Sequence, residues 1–299
     1  MSKLWKTVFF ALFIGIGLVI TAGATRAQEA PKTKTVIYTK TPQAKLKMVI
    51  TFPPDWKTGD KRSAVVFFFG GGWRAGNVKQ FAFQAKYLAE RGMVTALADY
   101  RVKSRHKTSP DKCVEDGKSA VRYLCENAKK LGIDPNRIVA SGGSAGGHVA
   151  AATASTPNVQ PQDNDDELTV RPNLLVLFNP ALHITNEKIV ERLGKKLATD
   201  ICPCKHLNKS VPPAIIFFGT NDWLLDGAKI YVEKAKKVGV KASIYIAKDQ
   251  KHGFFNRSPW REATLYEMDR FLVKHGYLEG EPKVMPKGDA RMKLLVESK

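Results

Sequence analysis

Residues 138–147 read Ile-Val-Ala-Ser-Gly-Gly-Ser-Ala-Gly-Gly, and this stretch decides the fold. Residues 138–141 have the character of a short strand. A G-x-S-x-G run, 142–146, follows at once, and residues 145–154 are small and helical. A serine on a sharp turn between strand and helix needs neighbours without bulk, because strand, turn and helix pass close together there. The helix start beyond it offers free amides and a positive dipole end to a developing negative charge. A phosphate-cradling loop would want a lysine near the helix start, and His148 stands there instead. Ser144 is therefore the candidate nucleophile.

Outward from this turn, strand and helix patterns alternate. Residues 64–69, 94–98, 174–178, 214–218 and 243–246 read as strands, rich in Val, Ile, Leu and Phe. Residues 80–91, 110–131, 227–238 and 261–274 have helical spacing, and Gly92 and Gly132 follow the first two as stop signals. Such alternation predicts a mostly parallel central sheet with helices on both faces, an α/β fold. The fully apolar runs suit strands buried on both sides. Residues 35–38 and 46–51 precede the first helix and suit an antiparallel edge. Residues 179–211 read as an insertion with a helix near 186–197. The polar stretch 156–172, with Asp163, Asp165, Asp166 and Glu167, reads as a solvated loop, since calcium-loop spacing is missing. The domain is expected over 28–280, and 281–299 as a loosely attached, charged tail.

Three more loops carry chemistry, each directly after a predicted strand. Gly70-Gly71-Gly72-Trp73 lets the backbone approach a reacting carbonyl and turn its amides inward. The amides of Gly71, Gly72 and Ala145 are the oxyanion-hole candidates. Gly219-Thr220-Asn221-Asp222 offers a carboxylate, with Asp226 as the runner-up four residues on. Lys251-His252-Gly253 offers the base. His252 would take the Ser144 proton, and Asp222 would fix its tautomer. His148, on the helix after the turn, reads as structural. No metal-ligand spacing appears among the six histidines, and no cofactor is expected.

The chain has 299 residues, enough for one large core, with ordinary globular hydrophobic and charged fractions. Its first residues read as a signal peptide: Lys3 and Lys6, an apolar run over 8–20, and small residues at Ala22-Gly23-Ala24 or at Ala27. The run is short for a membrane span, and no second long apolar run follows, so an exported protein with no stable span after cleavage is expected. Cleavage after Ala27 removes Lys3, Lys6 and Arg26 and takes the formal charge from +20 to +17. That charge could draw the protein to an anionic polysaccharide, or serve solubility. The cations lack an aromatic-interleaved pattern, which argues against nucleic acid. Four cysteines permit two disulfides. Cys113 and Cys125 share a predicted helix and would lie about 18 Å apart, too far to pair with each other. A link from Cys202 or Cys204 to that helix and four free thiols both stay open.

The segments FFFGGGW, ADYR (98–101), GIDPNRI (132–138), SGGSAGGH, FFGTND and KHGFFN together resemble the α/β-hydrolase-fold esterases and lipases, in particular exported bacterial acetyl-xylan and carbohydrate esterase-like proteins. The resemblance spans about residues 45–275. It implies a Ser144, Asp222, His252 triad in the chain order of that fold. It also implies an acyl-enzyme route for small or acylated-carbohydrate esters. A peptidase or broad carboxylesterase on the same scaffold, or a non-catalytic polysaccharide-binding relative, are the alternatives. One departure stands out: Phe69 occupies the place before the glycines where the family usually has His, so the oxyanion loop must be held differently.

Overall fold

The computed structural model describes residues 31–161, 170–184 and 187–298. The expected signal peptide, 1–27, and the acidic residues 163–167 lie outside the described residues. Nine strands form one sheet among the described residues: β1 (Lys32–Lys40), β2 (Lys45–Phe52), β3 (Arg62–Phe68), β4 (Val94–Ala98), β5 (Ile133–Gly143), β6 (Leu174–Phe178), β7 (Ala214–Gly219), β8 (Ala242–Ala247) and β9 (Lys293–Glu297). Their order across the sheet is β1-β2-β4-β3-β5-β6-β7-β8-β9. The strands from β4 to β8 run parallel, and β1, β2 and β9 are antiparallel. This is the mostly parallel α/β sheet expected from the alternating pattern.

The helices are α1 (Ala82–Glu90), α2 (Lys103–His106), α3 (Pro110–Glu126), α4 (Ala128–Leu131), α5 (Ala145–Ser155), α6 (Glu187–Leu193), α7 (Lys195–Asp200), α8 (Leu225–Lys237) and α9 (Trp260–Lys274). Buried residues of α3, α5 and α8, such as Val114, Val121, Val149 and Tyr231, pack on one face of the sheet. Buried residues of α1 and α9, such as Leu88, Leu265, Met268 and Leu272, pack on the other. Covering both faces explains why β6 and β7 are buried at every residue. Because β3, β5, β7 and β8 all run the same way, the loops after them meet at one edge of the sheet.

Three expectations needed revision. The helix expected over 110–131 breaks at Asn127 into α3 and α4. The helix expected over 186–197 breaks at Gly194, whose φ of 82° leaves the helical region. The tail is not loose. Its strand β9 pairs with β8, and the Ser298 hydroxyl accepts from the Ala242 amide at 2.7 Å. The Tyr87 hydroxyl accepts the amides of Lys283 and Val284. Ala290 and Met292 are buried in the core as well, but Leu294 and Leu295 stay exposed, so no regular hydrophobic periodicity announced the attachment. All four cysteines are free thiols, with Cys113 and Cys125 both on α3 as expected.

Candidate active site

Ser144 sits between β5 and α5 with φ 53° and ψ −116°, a conformation L residues rarely adopt. Neighbouring strands and the next helical turn hold it there. Its amide donates to the Phe178 carbonyl on β6 at 2.8 Å, and its carbonyl accepts from the His148 amide at 2.9 Å. The turn depends on missing side chains. A Cβ at Gly146 would lie 2.1 Å from the Phe68 carbonyl oxygen, which is why the helix can start so close to β3.

The structure brings His252 and Asp222 to this serine. His252 Nε2 lies 2.8 Å from Ser144 Oγ, and His252 Nδ1 lies 2.8 Å from Asp222 Oδ2. With Nδ1 protonated, Nε2 is free to accept the hydroxyl proton. The Asp222 carboxylate is fully buried, and its second oxygen accepts the Leu224 amide at 3.0 Å. That bond fixes the carboxylate plane toward the imidazole. Asp226, the runner-up, points away: it is exposed on α8 and pairs with Lys229 at 2.9 Å. The loop bearing His252 is nailed down by Phe255. Its ring is buried, stacks on Phe81 at 5.6 Å, and fills the space beside Gly143, where a Cβ would lie 2.5 Å from it.

Gly71 and Gly72 lie across from this pair with φ of 134° and 62°. A Cβ at Gly70 would lie 3.3 Å from Ser144 Cβ, so the loop runs directly beside the serine. The Gly71 carbonyl accepts the amides of Arg74 and Ala75, which curls the loop back on itself. Among the described residues the Gly71 and Gly72 amides donate to no backbone carbonyl. As the first residue of α5, Ala145 has no acceptor one turn earlier in its own helix. Three amides are thus left to a ligand oxygen.

Phe69 accounts for how this loop is held without the usual histidine. Its ring stacks on Tyr100 at 4.1 Å and 15°, and the Tyr100 hydroxyl donates to the Phe69 carbonyl at 2.5 Å. Gly76 lies over the same ring, with no room for a Cβ. The loop is thus held differently, as Phe69 led one to expect, by an apolar clamp.

Further residues hold the site: His148, read from the sequence as structural, and others that sequence reading passed over. Trp73 Nε1 donates to His148 Nδ1 at 3.1 Å, and His148 Nε2 donates to the Ile201 carbonyl at 2.8 Å. His148 therefore ties the glycine loop, α5 and the 179–211 insertion together. Burial pushes its imidazole down to about 4, so it is neutral near pH 7 with both nitrogens used. Gln80 Oε1 accepts the Gly70 amide at 2.6 Å, and Gln80 Nε2 donates to Asn256 Oδ1 at 2.9 Å. Asn256 Nδ2 then donates to the Gly253 carbonyl at 2.9 Å, next to His252. Buried Asn179, directly after β6, accepts the Gly253 amide at 3.1 Å. A polar residue straight after an apolar strand, beside the strand carrying Ser144, was a usable signal for Asn179. Nothing local in the sequence marks Gln80.

A family model described as BD-FAE matches residues 49–174. The isoprenylcysteine alpha-carbonyl methylesterase of Arabidopsis thaliana is 24% identical over 254 residues, spanning 76% of this chain and 58% of that protein. Carboxylesterase NlhH of Mycobacterium tuberculosis is 26% identical over 228 residues, spanning 66% of this chain and 68% of its own length. The chain spans about half the length of several curated relatives it matches. Among solved structures, a thermophilic esterase of Thermogutta terrifontis with propionate bound superposes with a TM-score of 0.79. It is 40% identical, over 83% of this chain and 96% of that one. The same esterase phosphorylated by paraoxon gives 0.79 and 40%, over 85% and 98%.

Proposed function

Because this chain belongs to the α/β-hydrolase-fold serine esterases, we propose that it hydrolyses carboxylic esters through an acyl-enzyme on Ser144. The observation that carries this is the unbroken chain Ser144–His252–Asp222 at 2.8 Å per step, facing a loop with unpaired amides. Ser144 Oγ attacks the acyl carbonyl while His252 Nε2 takes its proton. The carbonyl oxygen becomes an oxyanion, met by the amides of Gly71, Gly72 and Ala145. His252 returns the proton to the departing alcohol, leaving the acyl group on Ser144. Water then attacks, gives its proton to His252, and the acid leaves as Ser144 regains the proton.

The acyl group is short. The Thermogutta terrifontis esterase is described with propionate and with butyrate bound, which supports this size class. The alcohol half is a carbohydrate, as the family resemblance suggests. Trp223 supports this reading: it is 68% exposed, its ring 6.0 Å from that of His252, a flat apolar face at the open side of the site. Export through the signal-like residues 1–27 completes the proposal, and mass spectrometry of the N-terminus from the native host tests it. Among the described residues no helix is long and apolar enough to cross a membrane.

The activity test uses short-chain aryl esters, acetylated oligosaccharides and aryl amides, with paraoxon labelling read by mass spectrometry. Esters should turn over much faster than amides, and paraoxon should add to Ser144. Undiminished ester turnover by Ser144→Ala would sink the mechanism. Comparable amide and ester rates would move the reading to a peptidase.

A further inference from the structure

We propose that the substrate carries a carboxylate close to its scissile ester, and that a cationic cavity against the glycine loop binds it. This rests on the ester-hydrolase reading above and names a feature of its substrate. The cavity measures about 540 Å³, room for a group the size of a sugar acid, and starts at Gly72, one of the oxyanion-hole candidates. Trp73 forms part of its wall. Arg74, Lys103, Lys107 and Arg192 also line it, and no Asp or Glu does.

With 48 Lys and Arg against 28 Asp and Glu, many cations of the chain lack a carboxylate partner, and what sets these four apart is that they line one cavity. Arg62, Arg91, Arg101, Arg105 and Arg137 each pair with a carboxylate of the protein at 3.2 Å or less. Among the described residues, none of the four cavity cations has such a partner. Arg192 lies instead over the Trp73 ring at 5.4 Å. Four like charges around one cavity repel each other, and an anion between them relieves that repulsion. One neutral feature agrees. Ser109 and Pro110, at the start of the 17-residue α3 and the positive end of its dipole, line the same space. The acid in that first turn, Asp111, is engaged by the Ser109 hydroxyl and by Lys112 and is not one of the lining residues.

The carboxylate can sit on either half of the ester, and matched pairs separate the two sources. The acyl arm compares p-nitrophenyl hemisuccinate with p-nitrophenyl butyrate. The alcohol arm compares O-acetyl glucuronic acid with O-acetyl glucose. In one arm, kcat/KM should favour the anion by about tenfold at low salt, and added salt should erode the preference. Arg74→Gln with Lys107→Gln should bring that ratio close to one, whereas Lys237→Gln, an exposed lysine on α8, should leave it. A second readout needs no turnover: calorimetric titration of Ser144→Ala with succinate and glucuronate, repeated with R74Q/K107Q added. Equal rates within both pairs together with no salt-sensitive binding overturn the cavity's role while ester hydrolysis stands. Failure of every ester and of paraoxon labelling overturns the esterase reading, and the titration still decides the cavity.

Discussion

Two loops face each other across Ser144, and they are held by different balances of the same means. The histidine loop is anchored from within. Phe254 and Phe255 are buried, and Phe255 sits in a cluster with Phe81 and Phe178 beneath the serine turn. The glycine loop works through backbone amides and most of its residues are exposed, with Trp73 its buried ring. It is held at its two ends and from beside, by the Phe69–Tyr100 stack, the Trp73–His148 bond and the Gln80 bond to Gly70. A loop that presents a side chain can bury its neighbours. A loop that presents amides must stay slender, so it borrows its rigidity.

Chemistry sits at the tip of the first loop, and its removal should give the largest effect. His252→Ala should lower kcat by about 10⁶-fold, since the serine then has no base. Ester turnover under saturating substrate measures it, and retention of a tenth of the activity would break the triad assignment. Beneath that tip, Phe255→Ala should cost about 3–5 kcal/mol of stability, the usual result of emptying a buried phenyl site. Urea unfolding reads this. A shift below 1 kcal/mol would show that the histidine loop does not depend on its apolar plug.

The glycine loop should respond in rate before stability. Gly71→Ala places a Cβ 2.0 Å from the Ala75 carbonyl at a φ of 134°. The amides must then move, and kcat should fall about 10²–10³-fold with little change in KM. Unchanged kcat would remove Gly71 from the oxyanion role. His148, the loop's inner tether, makes it sensitive to acid. Its folded value of about 4 lies below the ordinary ~6.5 of an unfolded chain. Between those values the unfolded chain binds a proton that the folded chain refuses, so stability should fall as pH drops from about 6.5 toward 4, by about 3 kcal/mol at most. His148→Leu should flatten that part of the urea-midpoint profile. An unaltered profile would place the acid sensitivity elsewhere.

The same contrast explains what the sequence revealed. The alternating apolar runs dictated the parallel sheet because burial on both faces leaves only apolar residues in β6 and β7. Ser144, Asp222 and His252 were legible because each follows a strand end and carries rare chemistry beside glycine or a turn. The supports of the glycine loop were not legible. The Tyr100 stack, the Trp73–His148 bond and the Gln80–Asn256 bond join residues 31, 75 and 176 positions apart. No local spacing encodes such pairs. Strand β9 escaped for a related reason: it joins the sheet through backbone pairing and leaves Leu294 and Leu295 exposed.

The smallest effect tests whether the two loops are mechanically joined. Gln80 and Asn256 form the direct polar bridge between them, one end on the Gly70 amide and the other on the Gly253 carbonyl. Neither touches the triad, so each acts by positioning. Gln80→Ala and Asn256→Ala should each lower kcat by about tenfold, near the value of one hydrogen bond between neutral groups. KM should stay close to wild type. Because the two side chains serve one bridge, the double variant should cost little more than either single one. Gln80→Glu keeps the acceptor for Gly70 but loses the amide that donates to Asn256, so it should recover only part of the rate. Additive losses in the double variant would mean that the two loops are set independently, each by its own anchors.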